Sequence, residues 1–367
     1  MRLRGIFKVI SVNILVFFAL LTGVYWSFPI VRWLTVAITG EGVGALTAAS
    51  DPRGSLPNYQ GADWAPLHFA ELWASGVKYK SFVGWRRNAY QGQTITVEGP
   101  YGQRRTENPP SGEVPKVYFF GGSTIWGTGS RDEDTIPSQF ARITGFHAEN
   151  FGETAYTAHQ SLVRLIQLLQ DGHRPDIVIF YDGVNEVLSK CRIELNPESH
   201  DREGKINAAL EKMRPGAPIS LSHYLEPIVY VASHFSQWLP IQTNDTGYDC
   251  GNNSIKSKKI GENLLRDWQM AKLLVEAYGG KFISILQPVI YFSGSRTDHL
   301  GKSGRFLLLE REYNAVYPYI LKNIGESINL TKALDANEYF FIDFCHLSPN
   351  GNERIAQEMA QLVLAVL

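Results

Sequence analysis

The stretch "KVYFFGGSTIWGTG", Lys116 to Gly129, starts as strand-forming sequence and breaks at Gly121-Gly122-Ser123-Thr124. β-branched and aromatic residues suit a pleated, half-buried backbone, and a glycine pair marks where such a strand turns. Ser123 at that turn has three readings: a loop residue, part of a phosphate cradle, or a nucleophile. The cradle fits poorly. No Gly-Lys-Ser/Thr ending is present, and Gly122, Gly127 and Gly129 do not fall into a GxGxxG pattern.

Three more apolar runs follow: "HAENFG" from His147, "DIVIFYDG" from Asp176 and "KFISILQP" from Lys281. Between them lie segments with helical spacing, such as Ser161 to Leu169 (Leu162, Leu165, Ile166, Leu169) and Leu264 to Ala277. "EYFFIDFCHL" then leads to a last helix from Pro349 to about Val366, with Ile355, Met359, Leu362 and Val363 on its apolar side. Strands alternating with helices predict an α/β fold, a three-layer αβα sandwich around a mainly parallel sheet. In such sheets ligands bind outside the carboxyl ends of the strands. Those ends present Ser123, then Asn150-Phe151-Gly152, then Asp182-Gly183-Val184-Asn185, and finally Asp343 and His346 of "FIDFCHL", read as a further strand end.

That set supplies what acyl transfer needs. A serine hydroxyl attacks well only when an imidazole takes its proton, and a carboxylate orients the imidazole. Ser123, His346 and Asp343 can fill those roles. The backbone N–H groups of Ser123 and Gly152 with the side-chain amide of Asn185 would form a three-donor oxyanion hole. Plainer roles stay open for several of these residues. Asp343 suits a turn or helix cap, Asn185 suits a turn, and Gly152 suits a backbone that needs a positive φ.

Taken in order, the blocks "FGGSTIWGTG", "NFGETAY", "YDGVNE" and "DFCH" resemble those of the SGNH or GDSL hydrolase superfamily, over roughly Lys116 to Leu367. The resemblance implies a flavodoxin-like sheet and a carboxylic ester hydrolase working through an acyl-Ser123 intermediate. It implies Ser123, Asp343 and His346 as catalytic residues, Ser123, Gly152 and Asn185 as oxyanion donors, and no metal or organic cofactor. Two departures stand out: Gly122 replaces the acidic residue of the name-giving motif, and Glu186 replaces the usual Asp after Asn185. GGST variants resemble membrane-anchored or exported members associated with bacterial surface polysaccharides. The expected substrate is therefore an O-acylated, most simply O-acetylated, carbohydrate or a small ester. The motifs do not separate hydrolysis from O-acyl transfer to a polysaccharide, and a non-catalytic carbohydrate-binding or assembly protein could keep the same fold.

Outside this domain the N-terminus is the most informative part. Arg2, Arg4 and Lys8 precede an uncharged, largely apolar stretch from Val9 to Val31, of spanning length. It reads as a signal anchor with a cytoplasmic tip (1–34), the catalytic domain lying in the periplasm or outside, as for a single-pass protein of a bacterial inner membrane. A cleaved signal peptide and a buried helix are the other readings. Residues 35–79 read as a linker or stalk with a short helix near Trp64 to Trp73, and 80–115 as a β-rich extension. The domain from 116 to 367 carries an inserted helical cap at about 187–257.

Of 367 residues, 44% are hydrophobic and 19% charged, with a formal net charge of -1, so composition fits a folded protein and does not favour nucleic acid as a partner. Cys191, Cys250 and Cys345 form no metal-ligand spacing, and an oxidising exterior would permit a Cys191–Cys250 bond without establishing it. Cys345 reads as a small buried residue, and His147, His159 and His173 as surface or core residues. Trp126 and Tyr156 suit core packing or a sugar platform, and Arg104 with Arg105 reads as a solvated β-turn.

Overall fold

The structure, a computed structural model, describes residues 51–109, 112–213, 247–301 and 304–366 together with isolated positions between 13 and 23. Two units are distinguished, Met1–Leu46 with Asn207–Asp245, and Thr47–Ile206 with Thr246–Leu367. Most of the first falls outside the described residues, including nearly all of the expected anchor and positions 214–245 of the expected cap. Among the described residues no helix is long and apolar enough to cross a membrane.

In the second unit, two 3₁₀ turns, Pro52–Ser55 and Pro57–Tyr59, precede α1 (Ala65–Ala74). Five short strands follow: β1 (Val77–Lys80), β2 (Gly84–Arg87), β3 (Tyr90–Gln91), β4 (Thr96–Glu98) and β5 (Gln103–Arg104). Then come β6 (Lys116–Gly121), α2 (Ser123–Trp126), α3 (Ile136–Thr144), β7 (His147–Asn150), α4 (Ala158–Gln170), β8 (Ile177–Asp182) and α5 (Val184–Lys190). The remainder is α7 (Ser254–Ala277), β9 (Lys281–Leu286), α8 (Gly304–Lys322), β10 (Ile328–Asn329) and α9 (Pro349–Val366), while α6 (Glu203–Lys212) begins in this unit and continues in the first.

The main sheet has the order β10-β9-β8-β6-β7-β5-β4-β3. β10 through β7 are mutually parallel, whereas β5, β4 and β3 add antiparallel to the β7 edge. The sheet is therefore mixed, because part of the β-rich extension is built into it; β1 and β2 pair separately. Side chains alternate across the parallel strands, as the pleat requires. Tyr118, Phe120, Val178 and Phe180 join a core with α4, α7 and α8, while Val117, Phe119, Ile177 and Ile179 join another with α3 and α9. Both faces are covered, giving the three layers expected.

Several local expectations are corrected. "FIDFCHL" is not a strand. It is a loop held by the Phe341–Leu347 bridge and by backbone bonds from Ile342 N to His346 O (2.9 Å) and Ser348 N to Phe340 O (2.8 Å). The fifth parallel strand is the two-residue β10, too short to announce itself in the sequence. Helix α8 contains Pro318, which obscures a helical reading of that segment. The described part of the expected stalk is folded, with Phe69, Leu72 and Tyr59 in a core shared with Trp126 and Ile342. Within the expected insertion, a Cys191–Cys250 disulfide joins the chain just after α5 to the chain just before α7.

Arg104 is not in a solvated turn. It is fully buried and donates to the carbonyls of Trp126 (3.0 Å), Gly127 (2.5 Å), Thr94 (3.1 Å) and Ser130 (2.5 Å) while pairing with Asp132 at 2.9 Å. A guanidinium has five fixed donors, enough to satisfy a ring of inward-facing carbonyls. The guanidinium groups of Arg87 and Arg104 lie 4.4 and 4.5 Å from the Trp126 ring, which is buried as a core residue at the end of α2. Tyr156 is likewise buried.

Candidate active site

The turn after β6 is forced by close approach. Gly121 has φ +152, and a Cβ there would lie 2.4 Å from the Tyr181 carbonyl oxygen of the neighbouring strand. A Cβ on Gly122 would lie 2.2 Å from Asn185 Nδ2. Together the two glycines let β6 run directly into α2 and set Ser123 at its first position, where backbone N–H groups lack intrahelical partners.

Ser123 Oγ lies 2.6 Å from His346 Nε2, and His346 Nδ1 lies 2.6 Å from Asp343 Oδ2. The three residues sit 223 and 3 positions apart in sequence and form one continuous chain of hydrogen bonds. Asp343 Oδ1 accepts from the backbone N–H of Cys345 (3.0 Å) and His346 (2.8 Å), so the same turn that brings His346 to the site also clamps the carboxylate. Burial alone would raise its pKa, but the neighbouring His346 and Arg53 charges and these hydrogen bonds hold it well below the usual carboxylate range. An ionised carboxylate only accepts, so Nδ1–H donates to Asp343 and Nε2 is the ring nitrogen turned to Ser123. That is the ring orientation a general base requires.

The expected oxyanion donors are brought to the same place, with partners the sequence does not reveal. Gly152 packs against α2, where a Cβ would lie 2.7 Å from Trp126 N, but its own N–H donates to Asn150 Oδ1 at 3.1 Å. Asn185 Nδ2 donates to the Tyr156 carbonyl at 2.7 Å, which fixes the amide and leaves its second hydrogen for another acceptor. Glu186, the lengthened departure from the family pattern, is a brace. Its carboxylate accepts from Ala158 N (2.7 Å) and Gly183 N (3.0 Å), tying the start of α5 to the start of α4. Beside it, burial and the Glu186 charge push Asp182 well above the usual range, while Trp268 Nε1 donates to its Oδ2 at 3.0 Å.

Sequence reasoning missed Arg53, whose Nη1 donates to Asp343 Oδ2 at 3.2 Å from 290 positions away. Only its position just after Asp51-Pro52 distinguishes it, and that is no signal for a site. Glu153 was missed as well; buried, it accepts from Arg87 N at 2.8 Å and fixes the chain after Gly152. His147, His159 and His173 pair with Glu149, Asp267 and Tyr118, away from the triad.

Among the described residues, potential metal-ligating atoms cluster twice. In Cys191, Cys250 and Glu312 the sulfurs are already joined to each other, and in Asp343, Cys345 and His346 the carboxylate and imidazole already bond each other. A cavity of about 690 Å³ is lined by Phe282, Ile283 and Ser284 from the beginning of β9, with Trp268 and Lys272, and includes none of the triad.

Ser123 and His346 meet directly and Asn185 lies against Gly122, whereas the Gly152 N–H expected to face an oxyanion is engaged by Asn150 Oδ1. The four sequence blocks around these residues resemble those of the SGNH hydrolases. No protein-family model matches it, and no curated protein sequence does. Among solved structures it is similar to Est24, a carbohydrate acetylesterase from Sinorhizobium meliloti, at 15% identity and a TM-score of 0.38, covering 69% of this chain and 100% of that one. It is also similar to the acetyl xylan esterase AlAXEase (15%, TM-score 0.38, 68% and 99% covered) and to TesA (11%, TM-score 0.38, 69% and 99% covered). Likeness at this level says nothing of substrate, and the chemistry is read from the site itself.

Proposed function

We propose that the protein is a serine ester hydrolase of the SGNH type. The observation that carries the reading is the unbroken Ser123–His346–Asp343 chain, with both links at 2.6 Å. In this mechanism His346 Nε2 takes the Ser123 proton as Oγ attacks the ester carbonyl, and Asp343 stabilises the imidazolium that forms. The developing oxyanion faces the Ser123 N–H and the free hydrogen of the Asn185 amide. Collapse expels the alcohol, protonated by His346, and leaves acyl-Ser123. Water, deprotonated by the same imidazole, releases the acid.

The substrate we propose, an O-acyl and most simply O-acetyl group on a carbohydrate or small ester, comes from the sequence resemblance of the GGST block. Location outside the cytoplasm, with residues 9–31 as the anchor, is also proposed. It is supported by the Cys191–Cys250 disulfide, since such bonds persist in oxidising compartments. The test is release of p-nitrophenol from p-nitrophenyl acetate: wild type should turn the ester over and Ser123→Ala should not. Equal rates in the two proteins would remove Ser123 from the mechanism.

A further inference from the structure

The two oxygens of Asp343 are held differently. Oδ1 is fixed by its own turn through two backbone N–H groups, whereas Oδ2 meets the imidazole at 2.6 Å and Arg53 Nη1 at 3.2 Å. Arg53 comes from the 3₁₀ turn Pro52–Ser55, in the region whose sequence reads as a stalk. Its outer edge is fixed by Asp51, Nε to Oδ1 at 3.0 Å and Nη2 to Oδ2 at 2.8 Å, and Asp51 is itself held by Trp73 Nε1 at 3.1 Å. The Phe69 ring lies under the guanidinium, 4.9 Å from its centroid. Every part of the side chain except Nη1 is therefore anchored elsewhere, and Nη1 is aimed at the triad. Guanidinium and carboxylate side chains are each 21% exposed, so their interaction is only partly screened by solvent.

Resting on the hydrolase reading above, we infer that Arg53 is a positioning residue for the triad, locking Asp343 Oδ2 toward His346 and tuning the imidazole as a permanent cation beside it. A cation sharing the carboxylate disfavours the imidazolium. Through the oxygen they share, that cation acts on the imidazole that must take the Ser123 proton. The ionisable or charged groups facing this pair are Arg53, Asp51 behind it, the Cys345 thiol, whose Sγ lies 3.7 Å from His346 Nδ1, and Tyr59. Burial pushes the Cys345 thiol and the Tyr59 hydroxyl up, so both are neutral at working pH and Arg53 is the cation that matters. The segment leading out of the expected anchor thus completes the active site.

The test follows the His346 imidazole by NMR titration in wild type, Arg53→Gln and Arg53→Lys, alongside the pH dependence of kcat/KM for p-nitrophenyl acetate. Arg53 Nη1 and His346 Nδ1 lie within about 6 Å of each other through the shared oxygen, so loss of the charge should raise the imidazole pKa by about one unit. In Arg53→Gln the acid limb of kcat/KM should move up with it, and plateau kcat should fall about tenfold with KM unchanged. Arg53→Lys, which keeps the charge and most of the packing, should return the titration close to wild type, and it carries the test if the glutamine variant does not fold. An unmoved titration in Arg53→Gln, or an activity loss that Arg53→Lys does not relieve and no titration shift accompanies, overturns the inference. A wild-type protein that turns over no ester would refute the hydrolase reading instead, and the titration would still decide whether Arg53 acts on His346.

Discussion

Adding one methyl group at Gly122 tests how the oxyanion site is built. The new Cβ would lie 2.2 Å from Asn185 Nδ2, against an ordinary contact of 3.4 Å or more, so the amide must retreat by about 1.2 Å. The backbone itself accepts alanine, since Gly122 has φ -83 and ψ -157, and the effect is steric rather than conformational. In the proposed mechanism such a retreat removes the Asn185 donor from the oxyanion, which costs about 10²- to 10³-fold in kcat when a single such donor is lost. The assay is steady-state hydrolysis of p-nitrophenyl acetate by Gly122→Ala, Asn185→Ala and the double variant, with a thermal melt to verify folding. If the methyl acts through the amide, the double variant is no slower than Asn185→Ala alone. A Gly122→Ala enzyme within about threefold of wild type, or additive losses in the double variant, would refute the steric coupling of these residues.

Two further predictions concern buried charges. Arg104→Met leaves Asp132 and four carbonyls without their shared donor, and should lower stability to denaturant by about 3–5 kcal/mol; an unchanged midpoint would mean that water replaces the guanidinium. Asp182 has a raised pKa in the fold, so between the unfolded carboxyl value of about 3.9 and the raised one the native state binds the extra proton and stability falls as pH rises. Asp182→Asn keeps an acceptor for Trp268 and should be more stable than wild type at pH 7, with a flatter profile above pH 4, and a less stable variant would show that the charge is tolerated.

What was legible in the sequence was local. The apolar runs of β6 and β8 end in glycine turns, and a strand end carries its chemistry within a few residues, so Ser123, Gly152 and Asn185 could be placed together before any coordinate was known. Asp343 and His346 were legible as a pair for the same reason, although the element bearing them was not. A run of Phe, Ile and Phe reads as strand, yet here the Asp343 carboxylate takes the turn's own N–H groups and curls the chain into a loop. Long-range electrostatics left no trace in sequence. Arg53 and Arg104 look like surface residues until the carboxylates and carbonyls that satisfy them are seen, 290 positions away in one case. Nor could spacing show that the Gly152 N–H is taken by Asn150, a contact that depends on a side-chain rotamer.

The most direct test of the account is covalent. Wild-type protein treated with a fluorophosphonate and digested for mass spectrometry should carry the adduct on Ser123, with labelling abolished in Ser123→Ala and slowed at least about a hundredfold in His346→Ala. Absence of an adduct on folded wild type, or an adduct on another residue that survives Ser123→Ala, would contradict Ser123 as the activated nucleophile.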